Sequence, residues 1–322
     1  MRTGVAALAN RFLDALAPEE QRRMLDLARV VTAASDRWLT TYPIVRRPSV
    51  TAACALVSAV AMPVLDVAEL TLLTCWWLWI FGVDDVFDDS TVPDEWATSW
   101  ADRYQRELPI DHVDGDALLG AIGALHRELR AYPLYPLLGH RWRDGMTAIV
   151  RAMLRERQWS AGAAYGRWPS YQEYLDNGIV TIAMRPYTVT ACILAGDAAA
   201  GERLDALDPM IHAAARCFRL ANDPRSDARE RAEGTINAVS LLQHDLVGQG
   251  ADEAAALHTA RQLLDRVCTA DLAYLDAAHR AAPPERATLA RFLWAHTTFV
   301  WEMYRTSDYD TLSRLLREES PH

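Results

Sequence analysis

Four aspartates fall within six residues of the stretch FGVDDVFDDS: Asp84, Asp85, Asp88 and Asp89. On a helix, residues four apart share a face with Cβ atoms about 5 to 6 Å apart, so Asp84 pairs with Asp88 and Asp85 with Asp89. Like charges at that spacing repel, and acids in the last turn of a helix add to the negative end of its dipole. Such a cluster calls for a cation. Hard oxygen donors with few neighbours suit Mg²⁺, which keeps several waters and is commonly shared with substrate phosphates. A solvated acidic helix end is the plainer reading. The long apolar approach through Trp76, Trp77 and Trp79 counts against it.

A second group of oxygen donors lies in CFRLANDPRSDARERAEG, where Asn222, Ser226 and Glu230 fall at i, i+4 and i+8 on one helical stripe. An amide oxygen, a hydroxyl and a carboxylate in line could hold a divalent cation or could simply face solvent. Pairing with the first cluster gives the stripe its weight. Arg219 lies one turn earlier on a neighbouring face, where its planar fork suits a phosphate. An intrahelical ion pair with Asp223, or a place on the surface, is the alternative for it. Pro224 interrupts the stripe and either kinks the helix or starts it.

These groups need elements to position them. Strand-like alternation and glycine-rich nucleotide loops are both missing, whereas apolar residues three or four apart recur almost throughout. The chain is therefore expected to be all-α, with about ten helices separated near Pro43, Pro63, Pro93, Pro169, Pro186, Pro209 and Pro283. No linker or repeat divides it, so residues 1–322 are read as a single helical domain. At 51% hydrophobic residues the chain can bury a large core. A net charge of −10 without a basic run argues against nucleic acid as a partner. The five scattered cysteines form no CxxC pair and read as reduced thiols. Thr71 to Val83, the most apolar run, has 13 residues, short of the roughly 20 that span a membrane. Arg11 and Asp14 interrupt the N-terminal segment that a secretion signal would need, so the expected compartment is the cytoplasm.

Taken together, the two constellations resemble those of the class I terpene synthases. Asp84-Asp85-Val86-Phe87-Asp88 matches that family's aspartate-rich motif, and Asn222, Ser226 and Glu230 match its second metal motif, 138 residues downstream. The stretches YQEYLDNGIVTIAMRPYTV and EGTINAVSLLQHD, with Trp159 ahead of Pro169-Ser170, are similar to ent-kaurene synthases and their bacterial relatives. The likeness runs over residues 40 to 310 and implies one α-helical bundle of the isoprenoid synthase fold. Asp176, 46 residues before Asn222, stands where many members that cyclise linear diphosphates carry a diphosphate-sensing arginine. Members acting on labdane-type substrates usually lack it as well. Tyr187 occupies a position whose residue, in the family, is associated with how far the carbocation rearranges.

The resemblance implies Mg²⁺, in three ions, held by Asp84, Asp88, Asn222, Ser226 and Glu230, with Asp85 as a further ligand or as an acceptor behind them. Arg219 is expected on the diphosphate, with Arg47 and Arg305 as weaker candidates. The implied reaction is ionisation of a labdadienyl, copalyl-type diphosphate and cyclisation to a kaurene-, atiserene- or pimaradiene-like hydrocarbon. No DxDD motif is present, so an upstream class II diterpene cyclase would supply the bicycle. Direct cyclisation of geranylgeranyl or farnesyl diphosphate is the second reading, and a non-enzymatic helical interaction protein is the third. A homodimer is left open. The carbocation needs apolar, π-rich walls, and Trp294, Trp301 and Tyr304 define a candidate inward face with seven- and three-residue spacing.

Overall fold

The computed structural model describes residues 10–46, 50–107, 115–163 and 165–318. Among the described residues every regular element is helical, as expected. The order is α1 (Arg11–Asp14), α2 (Pro18–Thr41), α3 (Thr51–Ala61), α4 (Val67–Phe87), α5 (Asp94–Glu107), α6 (Ala117–Leu129), α7 (Tyr135–Ala163) and α8 (Tyr171–Thr181). It continues with α9 (Met184–Ala195), α10 (Ala198–Glu202), α11 (Asp208–Glu233), α12 (Ala238–Gly248), α13 (Glu253–Arg280), α14 (Ala287–Thr306) and α15 (Tyr309–Glu318).

Two helices set the core. All 11 residues of α3 are buried, which follows from a sequence that is apolar or small on every face. α4 starts at a capping box in which Asp66 accepts from the Glu69 backbone N–H and Glu69 accepts from that of Asp66, each at 2.9 Å. It then runs for 21 residues against α2, α3, α6, α7 and α9. The 13-residue apolar run is therefore the middle of a longer helix. By length and composition α4 could cross a membrane, but 72% of its apolar window is buried by the rest of the bundle, as in a core helix.

α11 packs against α8, α9, α12, α13 and α14. It continues through Pro224, so the proline neither starts nor ends it. Pro186 has the opposite effect. Its ring and missing N–H are incompatible with a helical carbonyl four residues earlier, at Ile182. The helical path breaks there, with Ala183 in the left-handed region at φ 59°. Thr181 and Ile182 are thereby turned onto the wall of a cavity.

The inward stripe of α14 is Phe292, His296, Phe299 and Met303. His296 is fully buried, and neither ring nitrogen has a hydrogen-bond partner. Its ring lies parallel to Trp77 at 5.9 Å and to Phe218 at 5.7 Å, with Tyr187 and Phe292 also against it. Burial in this aromatic surround pushes the imidazole down to about 3.

Two outcomes follow. A Cβ on Gly82 would lie 2.6 Å from the Ile44 backbone oxygen and 3.1 Å from Leu118 Cδ2, so Gly82→Ala should cost about 1 to 3 kcal/mol in urea denaturation. His296 is neutral when folded and takes up a proton when unfolded below its ordinary value near 6.5, so the fold loses stability as pH falls from about 6.5 towards 3. In His296→Phe, the drop in melting temperature between pH 7 and pH 5 should be clearly smaller than in the native chain.

Candidate active site

A cavity of about 300 Å³ lies between α4, α7, α8, α11 and the α14–α15 junction. Asp84 and Asp88 face it from α4, and Arg219, Asn222, Ser226 and Glu230 face it from α11. Both sequence constellations thus meet on opposite walls of one space.

The two aspartate pairs do separate onto two faces. Asp85 is not on the cavity wall; its Oδ2 accepts the Arg46 backbone N–H at 3.2 Å. Asp89 pairs with the Arg46 guanidinium at 2.5 Å and accepts from the Thr91 backbone N–H at 2.8 Å. Protein groups therefore hold the outward pair, Asp85 and Asp89, while Asp84 and Asp88 face the cavity. The carboxyl end of α4 is clamped by Arg157 of α7, which donates to the carbonyls of Phe87 (2.8 Å), Asp89 (3.0 Å) and Val92 and to the Asp94 carboxylate (2.6 Å). A cation on those carbonyls also meets the negative end of the helix dipole.

On α11, Ser226 lines the cavity with its Oγ 3.2 Å from the Asn222 carbonyl and 3.4 Å from that of Asp223, either of which can take its proton. Glu230 Oε2 accepts from Asn237 Nδ2 at 2.9 Å. Behind this stripe lies a buried network. Asp223 accepts from Tyr174 Oη and the Ala238 backbone N–H, both at 2.8 Å, and lies 3.3 Å from Arg219 Nε. Arg219 also donates to Tyr174 Oη, stacks over that ring at 4.8 Å, and reaches Glu156 Oε2 of α7 at 3.2 Å. Arg219 thus has the intrahelical partner foreseen for it and a place on the cavity wall as well.

The cavity concentrates negative charge. Burial, with Asp223 adding to it, pushes the Glu230 carboxyl up to about 7. Asp88 opens onto the cavity, yet the surrounding protein displaces enough water, and Asp84, Glu156 and Glu230 add enough repulsion, to raise its carboxyl well above the usual range. Among the described residues, no three His, Cys, Asp or Glu side chains are grouped to hold a metal ion by themselves. What faces the cavity is a sparse mixed set: two carboxylates on one wall, and an amide, a hydroxyl and a carboxylate on the other. Few hard oxygens leave room for water and phosphate oxygens around a small divalent cation, as Mg²⁺ requires. The residues fit that ion.

Aromatic rings complete the wall: Trp77, Phe81, Phe218, Tyr304 and Tyr309. Of the expected α14 face only Tyr304 contributes. Trp294 stacks on His279, and Trp301 lies under the Arg305 guanidinium. Seven-residue spacing marks a stripe without saying which stripe faces inward. Here the inner one is headed by Phe292 and His296. Tyr187 is fully buried behind Trp77, 3.5 Å from the Ser58 hydroxyl.

Arg305 is not on the cavity wall; it pairs with Glu302 at 3.9 Å. Arg47 lies outside the described residues. Asp176 is exposed and held by Gln172 at 2.8 Å, away from the cavity. Sequence reasoning missed Glu156, Tyr174, Arg225, Arg229 and Arg157. Glu156 was legible in principle, because it stands three and four residues after the buried Met153 and Ala152 on α7. Arg225 and Arg229, both exposed, line the same cavity from α11.

The sequence pattern described as terpene synthase family 2, C-terminal metal binding, matches residues 75–269. Ent-kaurene synthase-like 1 of Ricinus communis is 34% identical over 122 residues, which are 36% of this chain and 16% of that protein. The matched stretch therefore spans less than a fifth of that relative's length. Among solved structures, the SVS_A2 protein from ancestral sequence reconstruction superposes with a TM-score of 0.71 at 20% identity, over 87% of this chain and 86% of that one. Isoprene synthase from grey poplar leaves (Populus x canescens), solved with three Mg²⁺ ions and dimethylallyl-S-thiolodiphosphate, gives 0.67 at 15% identity over 88% and 55%. Both likenesses show a shared all-α fold.

The network behind α11 yields a stability test. Asp223→Asn keeps the shape of the side chain but leaves Arg219 short of a buried counter-charge, so it should destabilise the fold by about 3 kcal/mol in chemical denaturation.

Proposed function

The chain belongs to terpene synthase family 2 and has the class I terpene synthase fold, and from that premise we propose that it is a class I diterpene synthase. It ionises a labdadienyl, copalyl-type diphosphate and cyclises the resulting carbocation to a polycyclic hydrocarbon. The observation that carries this reading is the single cavity onto which Asp84 and Asp88 face from α4 and Asn222, Ser226 and Glu230 face from α11, with aromatic walls between them.

An allylic diphosphate leaves only if positive charge stands where negative charge develops. Bound Mg²⁺ supplies most of that charge at the two oxygen-donor walls. Arg219 adds a guanidinium already fixed by Glu156 and Tyr174. Trp77, Phe81 and Phe218 then exclude water from the cation and offer π faces to it. A separate class II cyclase forms the bicyclic substrate, and the cytoplasm is the compartment in this reading.

The labdane-type substrate is supported by the ent-kaurene synthase-like relative and by α8, whose residue 176 is an aspartate turned away from the cavity. Direct cyclisation of geranylgeranyl or farnesyl diphosphate uses the same metals and walls. The two are separated by incubating the protein and Mg²⁺ with ent-, normal- and syn-copalyl, geranylgeranyl and farnesyl diphosphates and analysing products by gas chromatography and mass spectrometry. A cyclic hydrocarbon from one copalyl isomer alone supports the proposal, and turnover of a linear diphosphate alone overturns the substrate. Asp84→Ala and Asn222→Ala should each cut turnover at least about 100-fold with the circular dichroism spectrum unchanged. Substantial activity in either would remove the metal assignment.

A further inference from the structure

Glu156 stands on the cavity wall but belongs to neither oxygen-donor motif. Both of its carboxylate oxygens are engaged. Oε1 accepts from Asn177 Nδ2 at 3.3 Å and lies 3.0 Å from Thr181 Oγ1, whose single proton is shared between it and the Gly178 carbonyl at 3.1 Å, and the same Asn177 amide donates to the Ala152 carbonyl at 2.9 Å. Oε2 is then left facing Arg219 Nη2 at 3.2 Å. α7 and α8 together therefore fix this carboxylate before any ligand arrives.

Arg219 is held from its other sides as well. Tyr174 Oη accepts from it while donating to Asp223, and the Tyr174 ring lies under the guanidinium. Its stem lies on bare α8 backbone: a Cβ on Gly178 would come within 3.1 Å of Nε and 3.2 Å of Cγ. The side chain is 13% exposed, whereas Arg225 and Arg229 on the same cavity are exposed. A free arginine carries rotamer entropy that binding must remove. Here that cost is met in the fold.

We propose that Glu156 is a positioning residue: it holds the Arg219 guanidinium in place so that an arriving diphosphate meets an already ordered fork. This rests on the reading of the cavity as a metal–diphosphate site. With residue 176 an aspartate facing away, α8 contributes no cation there, and Arg219 is the buried cation on this wall. Losing the fixed carboxylate should therefore weaken diphosphate binding even though it removes a negative charge from an anion site. Simple electrostatics predicts the reverse sign.

The test is calorimetric binding of inorganic diphosphate, at saturating Mg²⁺, to the native chain, Glu156→Gln, Glu156→Asp, Arg219→Lys and the double variant Glu156→Gln/Arg219→Lys. Glu156→Gln should raise Kd about 10-fold, the worth of one charge-assisted hydrogen bond. Glu156→Asp, which keeps the charge on a shorter stem, should raise it about 3-fold, and it carries the test alone if the glutamine variant does not fold. On the Arg219→Lys background, Glu156→Gln should add less than about 2-fold, because the interaction it acts through is already gone. Unchanged or tighter binding in the single variants overturns the inference, as does an undiminished effect on the lysine background. If the native chain binds no diphosphate with Mg²⁺, the metal–diphosphate reading itself falls, which is a distinct result.

Discussion

The buried guanidinium of Arg219 is the charge on which the rest of this site depends. α4 and α11 turn acidic side chains towards one cavity, and α7 adds Glu156. Such an arrangement is self-repelling in a medium that screens poorly. Arg219 lies against Asp223 and Glu156 at once and opposes the repulsion that raises Asp88 and Glu230. Through Tyr174 and Asp223 it also ties α8 to α11 and to the start of α12. One cation thereby joins α7, α8 and α11, three of the helices that bound the cavity.

What Arg219 does inside the cavity, arginines behind it do for the backbone. Arg157 gathers the Phe87 carbonyl at the end of α4 and the Asp89 and Val92 carbonyls just beyond it, and Arg46 takes up the outward aspartate pair through Asp89 and its own N–H to Asp85. The inward pair, Asp84 and Asp88, is thus presented by a helix end that two arginines hold from outside the cavity. Preorganisation of this kind matters where charge develops during a reaction, because groups already in place need no rearrangement at that moment.

Opposite the charged mouth the molecule uses a different physics. Trp77, Phe218 and His296 stack as near-parallel rings with Tyr187 against them. A buried imidazole with no partner at either nitrogen costs stability, as does the left-handed Ala183 at the α8–α9 break. His296 packs behind the cavity-lining Trp77 and Phe218, and Ala183 directly follows the cavity-lining Thr181 and Ile182.

Much of this was legible in the residues alone. Helical periodicity and the lack of strand alternation determined the all-α class. Spacing of four determined that the aspartates form two pairs and that Asn222, Ser226 and Glu230 share a stripe, because a helix repeats every 3.6 residues whatever surrounds it. Pro186 marked a real break, while Pro224 did not, since packing against five neighbouring helices carries α11 through it. Only the tertiary structure decided which aspartate pair faces the cavity, that Arg305 pairs elsewhere, that Trp294 and Trp301 turn away and His296 turns in, and that Glu156 and Tyr174 meet Arg219 across three helices. Periodicity specifies the relative angle between side chains on one helix. The rotation of that helix against its neighbours is set by the packing of all of them together, which no single segment encodes.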